Sequence, residues 1–390
     1  MANFKIKKAD RLKKLPVYLF AELDNLKSEA KKKGVDIIDL GVGSPDLPAP
    51  SNIIRKAQEE IANKNNHGYP SYAGMIEFRE TVASWYKERF DVVLDPETEI
   101  LALIGSKEGI GHIPLAFVNE GDFVLVPDPG YPVYQAGTVF AGGIPYFMPL
   151  LRENNFFPDL KKIDTTTAKR SKLMFINYPN NPTTAVANKE FFSDVVDFAK
   201  KFNIITCHDA AYSEIYYGKR IISFLEVDGA KDVGIEFHSF SKTFNMAGWR
   251  IGFAAGNKEI ISGLGQIKTN LDSGIFQAIQ LAAIEALKSP KEVKEEIIKV
   301  YQERRDIFTG VLKKLGWDVI YPAATFYVWV AVPKGLTSRE MTTALIKECG
   351  IVATPGSGFG SAGEGYIRFS LTSDIKRLQE ALNRIEKLKI

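Results

Sequence analysis

Cysteine is nearly absent from this sequence: Cys207 and Cys349 are the only two in 390 residues, and they form neither a CxxC pair nor a paired framework. A disulfide scaffold and a structural zinc site are thereby excluded, and no metal is expected. Charge of one sign is lacking too. The 50 lysines and arginines face 47 acids, and the net charge of +3 gives no general attraction to nucleic acid or to an acidic membrane. No long apolar run exists. AATFYVWVAV, at Ala323 to Val332, falls far short of the roughly 20 residues of a spanning helix and reads as a buried strand. The basic opening, with Lys5, Lys7, Lys8, Arg11, Lys13 and Lys14, is interrupted by Phe4 and Ile6 and lacks a serine-rich transit pattern. It reads as a solvated arm, and the cytoplasm is the expected location.

What is present suits a large globular protein. With 45% hydrophobic, 25% charged and 11% aromatic residues, the chain can bury a sizeable core in two or three domain-sized units. Helical periodicity is expected over 17–33, 53–62 and 78–90, and a strand at Asp36 to Gly41. Short apolar runs then recur at Phe123 to Val126, Leu173 to Ile176, Ile204 to Cys207, Ile235 to His238 and Ile251 to Ala254, with helical patterns such as Phe191 to Phe202 between them. This alternation predicts an α/β fold with a mostly parallel sheet. After Ser289 a charged helix leads to two strand-like segments, YVWVAV and YIRFSL, separated by the helix-like SREMTTALIKEC. The expected organisation is an N-terminal arm and part of a small domain over 1–48, a large domain over 49–288, and a smaller α+β domain over 289–390.

The chemistry gathers at strand ends. HSFSKTFNMAGWRIGF places Lys242 directly after a strand, with Ser239, Ser241 and Arg250 nearby, and open parallel sheets bind ligands at the carboxyl ends of their strands. Serines and an arginine suit a phosphate, which a guanidinium engages in bidentate fashion. ITCHDAAY puts Asp209 after another strand with Tyr212 three residues on, and FINYPNNPT puts Asn181 after a third. Each alone is a common turn residue. Together they supply a lysine amine for an aldehyde, a carboxylate for a pyridine nitrogen, partners for a ring hydroxyl and a phosphate cradle, which are the demands of pyridoxal phosphate.

This set, preceded by NNPT and followed near the C-terminus by YIRFS, resembles the class I/II aminotransferases of the aspartate aminotransferase fold over nearly the whole chain. The resemblance implies the pyridoxal-phosphate-dependent transferase fold (fold type I), a large mostly parallel-sheet domain plus a smaller α+β domain. It implies that Lys242 anchors the cofactor and shuttles the α-proton. Asp209 pairs with the ring nitrogen, Tyr212 and Asn181 bind the ring oxygen, and Ser106 and Lys107 open a helix at the phosphate. Tyr131, otherwise a packed turn tyrosine, stacks on the cofactor. Arg368, which could also be an outward strand residue, grips the substrate carboxylate, with the Gly43 backbone beside it. Tyr69 reaches the phosphate of a neighbouring subunit, so a homodimer with shared sites is expected. Where the family reads NNPTG, this chain has Thr184, and a different turn is expected there.

VYLFAELD, IGSKEGIGHIPLAF, VPDPGYPVY, CHDAAYSEI and KTNLDSGIFQAIQ resemble a narrower family, the LL-diaminopimelate aminotransferases. That likeness implies an amino-group exchange between glutamate and open-chain tetrahydrodipicolinate in lysine and cell-wall precursor synthesis, with Tyr18 and Lys107 meeting substrate. Small amino acids and 2-oxo acids are the expected partners. The distal end of such a substrate carries an ammonium as well as a carboxylate, and the loop from Tyr69 to Gly74 offers no acid. Aspartate or alanine transamination, carbon-sulfur lysis and a non-catalytic sensor are the alternatives. The fold is expected to begin by Val17, which leaves no space ahead of it for a DNA-binding domain.

Overall fold

In the computed structural model of the protein, which describes residues 4–15 and 19–388, the five short apolar runs between Phe123 and Ala254 belong to one seven-stranded sheet, which Ile100–Leu103 and Ile144–Pro149 complete. Its order is Ile100–Leu103, Gly252–Gly256, Gly234–Ser239, Ile205–Asp209, Ser171–Asn177, Phe123–Asp128 and Ile144–Pro149. Only Gly252–Gly256 runs against its neighbours; the other strands lie parallel. Side-chain alternation gives the sheet two apolar faces. Leu173 and Phe175 pack with Val124, Val126 and Cys207, whereas Met174 and Ile176 pack on the opposite side with Leu125. Strands buried on both faces read as continuous apolar runs, which is why these segments stand out in the sequence.

The helices between them are locally specified. Helix Lys189–Phe202 starts where the Asn188 side chain accepts the Phe191 N–H at 2.9 Å, and it stops at Asn203, whose φ of 56° is left-handed. Phe191, Phe192, Val195, Val196 and Ala199 form its buried stripe. Ser106–Phe117 and Lys258–Leu271 cover one face of the sheet, and Ser51–Ala62, Ile76–Phe90 and Gln277–Lys288 the other.

A second sheet is built from the C-terminal part: Thr354–Pro355, Tyr366–Ser370, Tyr327–Ala331 and Val319–Ile320, all antiparallel. The helix Ser338–Cys349 joins two of its strands, and the charged helix Lys291–Lys314 packs across it. The N-terminal segment belongs here as well. Ile38–Asp39 pairs in parallel with Ile351–Val352, and Leu40 is buried with Phe308 and Phe369. This strand is shorter than the Asp36 to Gly41 expected. The Asp39 carboxylate accepts the N–H of Gly41 at 2.9 Å and turns the chain away from the ladder.

An ion pair fixes the loop that follows. Arg304, buried in the long helix, makes a bidentate contact with Asp46 (2.7 and 2.8 Å) and also donates to the Leu371 carbonyl at 3.0 Å. Losing one partner of a buried pair leaves an uncompensated charge. Because Asp46 keeps about a quarter of its surface in water, Arg304→Ala is expected to lower stability by about 3 kcal/mol, at the low end of that class. Equilibrium urea unfolding measures it.

Candidate active site

The carboxyl ends of the parallel strands open into a cavity of about 420 Å³. Strand register decides what meets there. Asn177 lies beside Asp209, and Asp209 beside Phe237; two residues past Phe237 the chain enters Ser239 and the short helix Phe240–Thr243, which carries Lys242. The cavity wall includes Lys242, Asp209, Tyr212, Asn181, Arg368 and Gly43, together with Ser106, Lys107, Tyr131, Ser239, Ser241 and Arg250. Thus twelve of the fourteen residues singled out in the sequence converge. Tyr69 does not: it is 91% exposed and outside the wall. Tyr18 lies outside the described residues.

One end of the cavity is a cradle of donors. Ser106 is the first residue of helix Ser106–Phe117, where backbone N–H groups and the helix dipole favour an anion. Arg250, itself left-handed at φ 55°, lies over Gly105, where a Cβ would come within 2.5 Å of its Nη2. Glycine at 105 therefore lets the guanidinium approach the helix start. The Ser239 hydroxyl accepts the Ser241 N–H at 3.2 Å, which leaves both serine hydroxyl protons free to turn.

Asp209, in the same cavity wall, is buried. It accepts the Tyr134 hydroxyl at 2.8 Å and the Ala211 N–H at 3.2 Å. Burial pushes its carboxyl above the usual range, while those two donors and nearby His208 and His238 act against the rise. Lys242, also in the cavity wall, donates to the Gly43 carbonyl at 2.7 Å. Burial first, then the charges of Arg368 and Arg250, pull its ammonium down to about 8. A fraction of this amine is therefore neutral near pH 7, as a nucleophile and proton carrier requires.

Arg368 is 1% exposed, so its strand position faces inward and not outward. Its Nη1 donates to the Asn181 Oδ1 and its Nη2 to the Gly41 carbonyl, both at 2.6 Å. An arginine only donates, so the Asn181 oxygen is turned to it and the Asn181 amide hydrogens are left for the cavity. Tyr327 and Phe359 flank the guanidinium, with its Cζ 4.1 and 4.7 Å from their ring centroids. Arg368 has no acid partner among the described residues, and its Nε has no hydrogen-bond partner. A buried cation in that state calls for an anionic ligand.

These features fit pyridoxal phosphate and an amino acid: a phosphate cradle, an amine, a buried carboxylate for a cationic ring nitrogen, and a second anion site at Arg368. Sequence reading missed Tyr134, Asn177 and Tyr327, and Asp24 in the cavity wall as well. Tyr134 stands in the first turn of the helix Val133–Phe140, three residues after Tyr131, and its ring meets that of Tyr131 edge to face at 6.0 Å; its nearness in sequence to Tyr131 could have pointed to it. Asn177 bridges Asp209 and Asn181, giving its amide to the Asp209 carbonyl at 2.7 Å and accepting the Asn181 N–H at 2.8 Å. Tyr327, inside an apolar run, carried no signal. The turn at Thr184 is also corrected. Thr184 has φ 66°, so the left-handed conformation is adopted by threonine itself. Asn180 compels it: its backbone pairs with Ala185 (2.8 Å) and Thr184 (3.0 Å), and its side chain takes the Thr183 N–H at 2.9 Å.

Comparison with known proteins agrees with this geometry. Residues 35–385 match the family described as aminotransferase class I and II. A protein of Aquifex aeolicus named LL-diaminopimelate aminotransferase is 58% identical over 383 residues, spanning 98% of this chain and 99% of the relative. One of the same name from Syntrophobacter fumaroxidans is 55% identical over 382 residues, with 98% of each covered. The substrate-bound structure of BacF from Bacillus subtilis superposes with a TM-score of 0.94 at 41% identity, covering 99% of this chain and 98% of that one. With a family match across nearly its whole length and the site described above, the chain belongs to the class I and II aminotransferases, whose cofactor is pyridoxal phosphate.

Proposed function

We propose that this aminotransferase acts on LL-diaminopimelate, exchanging its amino group with 2-oxoglutarate, and that it works as a cytoplasmic homodimer. The observation that carries the substrate is full-length identity of 58% to a relative of that name. The site adds chemical support. Asp24 belongs to the wall of the same cavity and is held by Lys27 at 2.5 Å; it supplies the acceptor for a distal ammonium that the sequence did not reveal.

The cofactor, when bound, supplies the electron sink for loss of the α-proton. Everything else falls to the chain. Arg368 holds the α-carboxylate, and Asn181, turned by Arg368, gives its amide to the cofactor's ring oxygen together with Tyr212. Burial keeps the Tyr212 phenol well above its ordinary range, so it serves as a donor. Asp209 has two donors already and presents its remaining capacity to the ring nitrogen, where a charged N–H offsets the cost of a buried carboxylate. Ser106, Ser239, Ser241 and Arg250 hold the phosphate. Lys242 anchors the cofactor and, once released, carries the proton at Nζ.

Tyr69 acts for a second copy of the chain. It stands 91% exposed near Tyr72, Leu271 and Phe276, which are 47%, 57% and 40% exposed, and Gly274 packs against the Ser71 backbone between the two loops. Such an apolar patch is suited to burial against a copy of itself.

The substrate reading is tested by kcat/KM for LL-diaminopimelate, aspartate and alanine with 2-oxoglutarate. LL-diaminopimelate is expected to exceed the other two by at least tenfold. Faster aspartate or alanine turnover replaces the substrate, lyase products replace the reaction, and no turnover favours a sensor. For Lys242, attachment of pyridoxal phosphate to apoenzyme should accelerate with rising pH and level off above about 8, because only the neutral amine attacks and its titration is drawn down to that value. The Lys242→Ala variant should show no attachment and no transamination while retaining its circular dichroism. For Tyr69, mixing inactive Lys242→Ala with crippled Tyr69→Phe subunits should restore activity, since each heterodimer regains one whole site. Absence of recovery after verified exchange assigns Tyr69 to its own chain.

A further inference from the structure

Tyr327 is buried at the start of the strand Tyr327–Ala331, and three contacts connect it with the site. Its hydroxyl lies 2.8 Å from that of Tyr212. Its ring lies against the Arg368 guanidinium, at 4.1 Å. Its Oη occupies the space of a side chain at residue 43, only 1.8 Å from where a Cβ would stand. Gly43 is thus needed to admit the phenol.

Two hydroxyls in contact share one proton in the bond, and its ownership matters. If Tyr212 donates to Tyr327, its proton is unavailable to a ligand in the cavity. If Tyr327 donates, the Tyr212 proton is free to point there. The guanidinium over the Tyr327 ring draws electron density from that phenol and makes its O–H the stronger donor of the pair. Accepting that bond in turn polarises Tyr212 and strengthens its own donation.

We propose that Tyr327 is a positioning residue with two functions: its hydroxyl aims the Tyr212 proton at the cofactor's ring oxygen, and its ring face holds Arg368 in place for the substrate carboxylate. The inference rests on the roles given above to Tyr212 and Arg368. A donor at the ring oxygen favours its ionised form, so weakening that donor lets the lysine-bound cofactor keep its proton to higher pH.

The test compares holoenzymes of wild type, Tyr327→Phe, Tyr327→Leu and Tyr212→Phe by pH titration of the cofactor's visible absorption and by the Kd of succinate, a non-reacting dicarboxylate. Tyr327→Phe keeps the ring and should raise the absorption midpoint by about 0.5 pH unit, with succinate affinity within roughly twofold of wild type. Tyr327→Leu should raise the midpoint likewise and weaken succinate roughly tenfold. A midpoint unchanged or lowered in Tyr327→Phe but raised in Tyr212→Phe overturns the hydroxyl function alone. A midpoint unmoved in both removes Tyr212 itself from the ring oxygen. Unaltered succinate affinity in Tyr327→Leu overturns the support of Arg368. Should the leucine variant not fold, the midpoint of Tyr327→Phe decides the proposal.

Discussion

The guanidinium of Arg368, taken out of water with no carboxylate beside it, is the constraint around which the site is arranged. A buried cation is costly, and here neutral groups share the load: the Asn181 amide oxygen, the Gly41 carbonyl, and the faces of Tyr327 and Phe359. Each has a second consequence. The amide is turned so that its hydrogens face the cavity, and the loop 41–43 is drawn toward Lys242. The ring is set against Tyr212. Arg368 therefore orders the cavity even before a carboxylate neutralises it.

The opposite charge is handled differently. Asp209 is buried by the sheet and supplied with two donors, too few for an isolated carboxylate. The same cavity wall holds an undercompensated anion, an undercompensated cation and an amine whose own proton is loosened by burial. Such a set suits a ligand that presents both a cationic nitrogen and a carboxylate. Stability given up at each charge is regained only when the whole ligand is present.

Much of this was legible in the sequence. Strands of a doubly covered sheet are uninterrupted apolar runs, so those ending near Asn177, Asp209 and Ser239 announced themselves, and polar residues just past a buried run had to stand at the sheet's carboxyl edge. The dense loop around Lys242 identified the chemistry. Arg368 was ambiguous because a single strand position does not say which face is covered; here the rings of Tyr327 and Phe359 lie against its guanidinium. Tyr327 was invisible, since a tyrosine among valines and a tryptophan is read as core, and only the fold shows its hydroxyl meeting Tyr212. Thr184 misled: the residue type argues against a left-handed turn, yet the hydrogen bonds of Asn180 impose one.

The pairing of Ile38–Asp39 with Ile351–Val352 has a consequence for the chain's birth on the ribosome. The seven-stranded sheet lies wholly between Ile100 and Gly256 and can assemble while synthesis continues, since such units form as they emerge. The short N-terminal strand cannot. Its edge stays open until Ile351–Val352 have been made, well after the sheet is complete, and with it the loop that carries Gly43 and Asp46. Competence for chemistry is thus acquired only when a segment made before the sheet closes against one made after it, and a chain stopped short of Ile351 keeps an unpaired strand edge, a template for wrong partners.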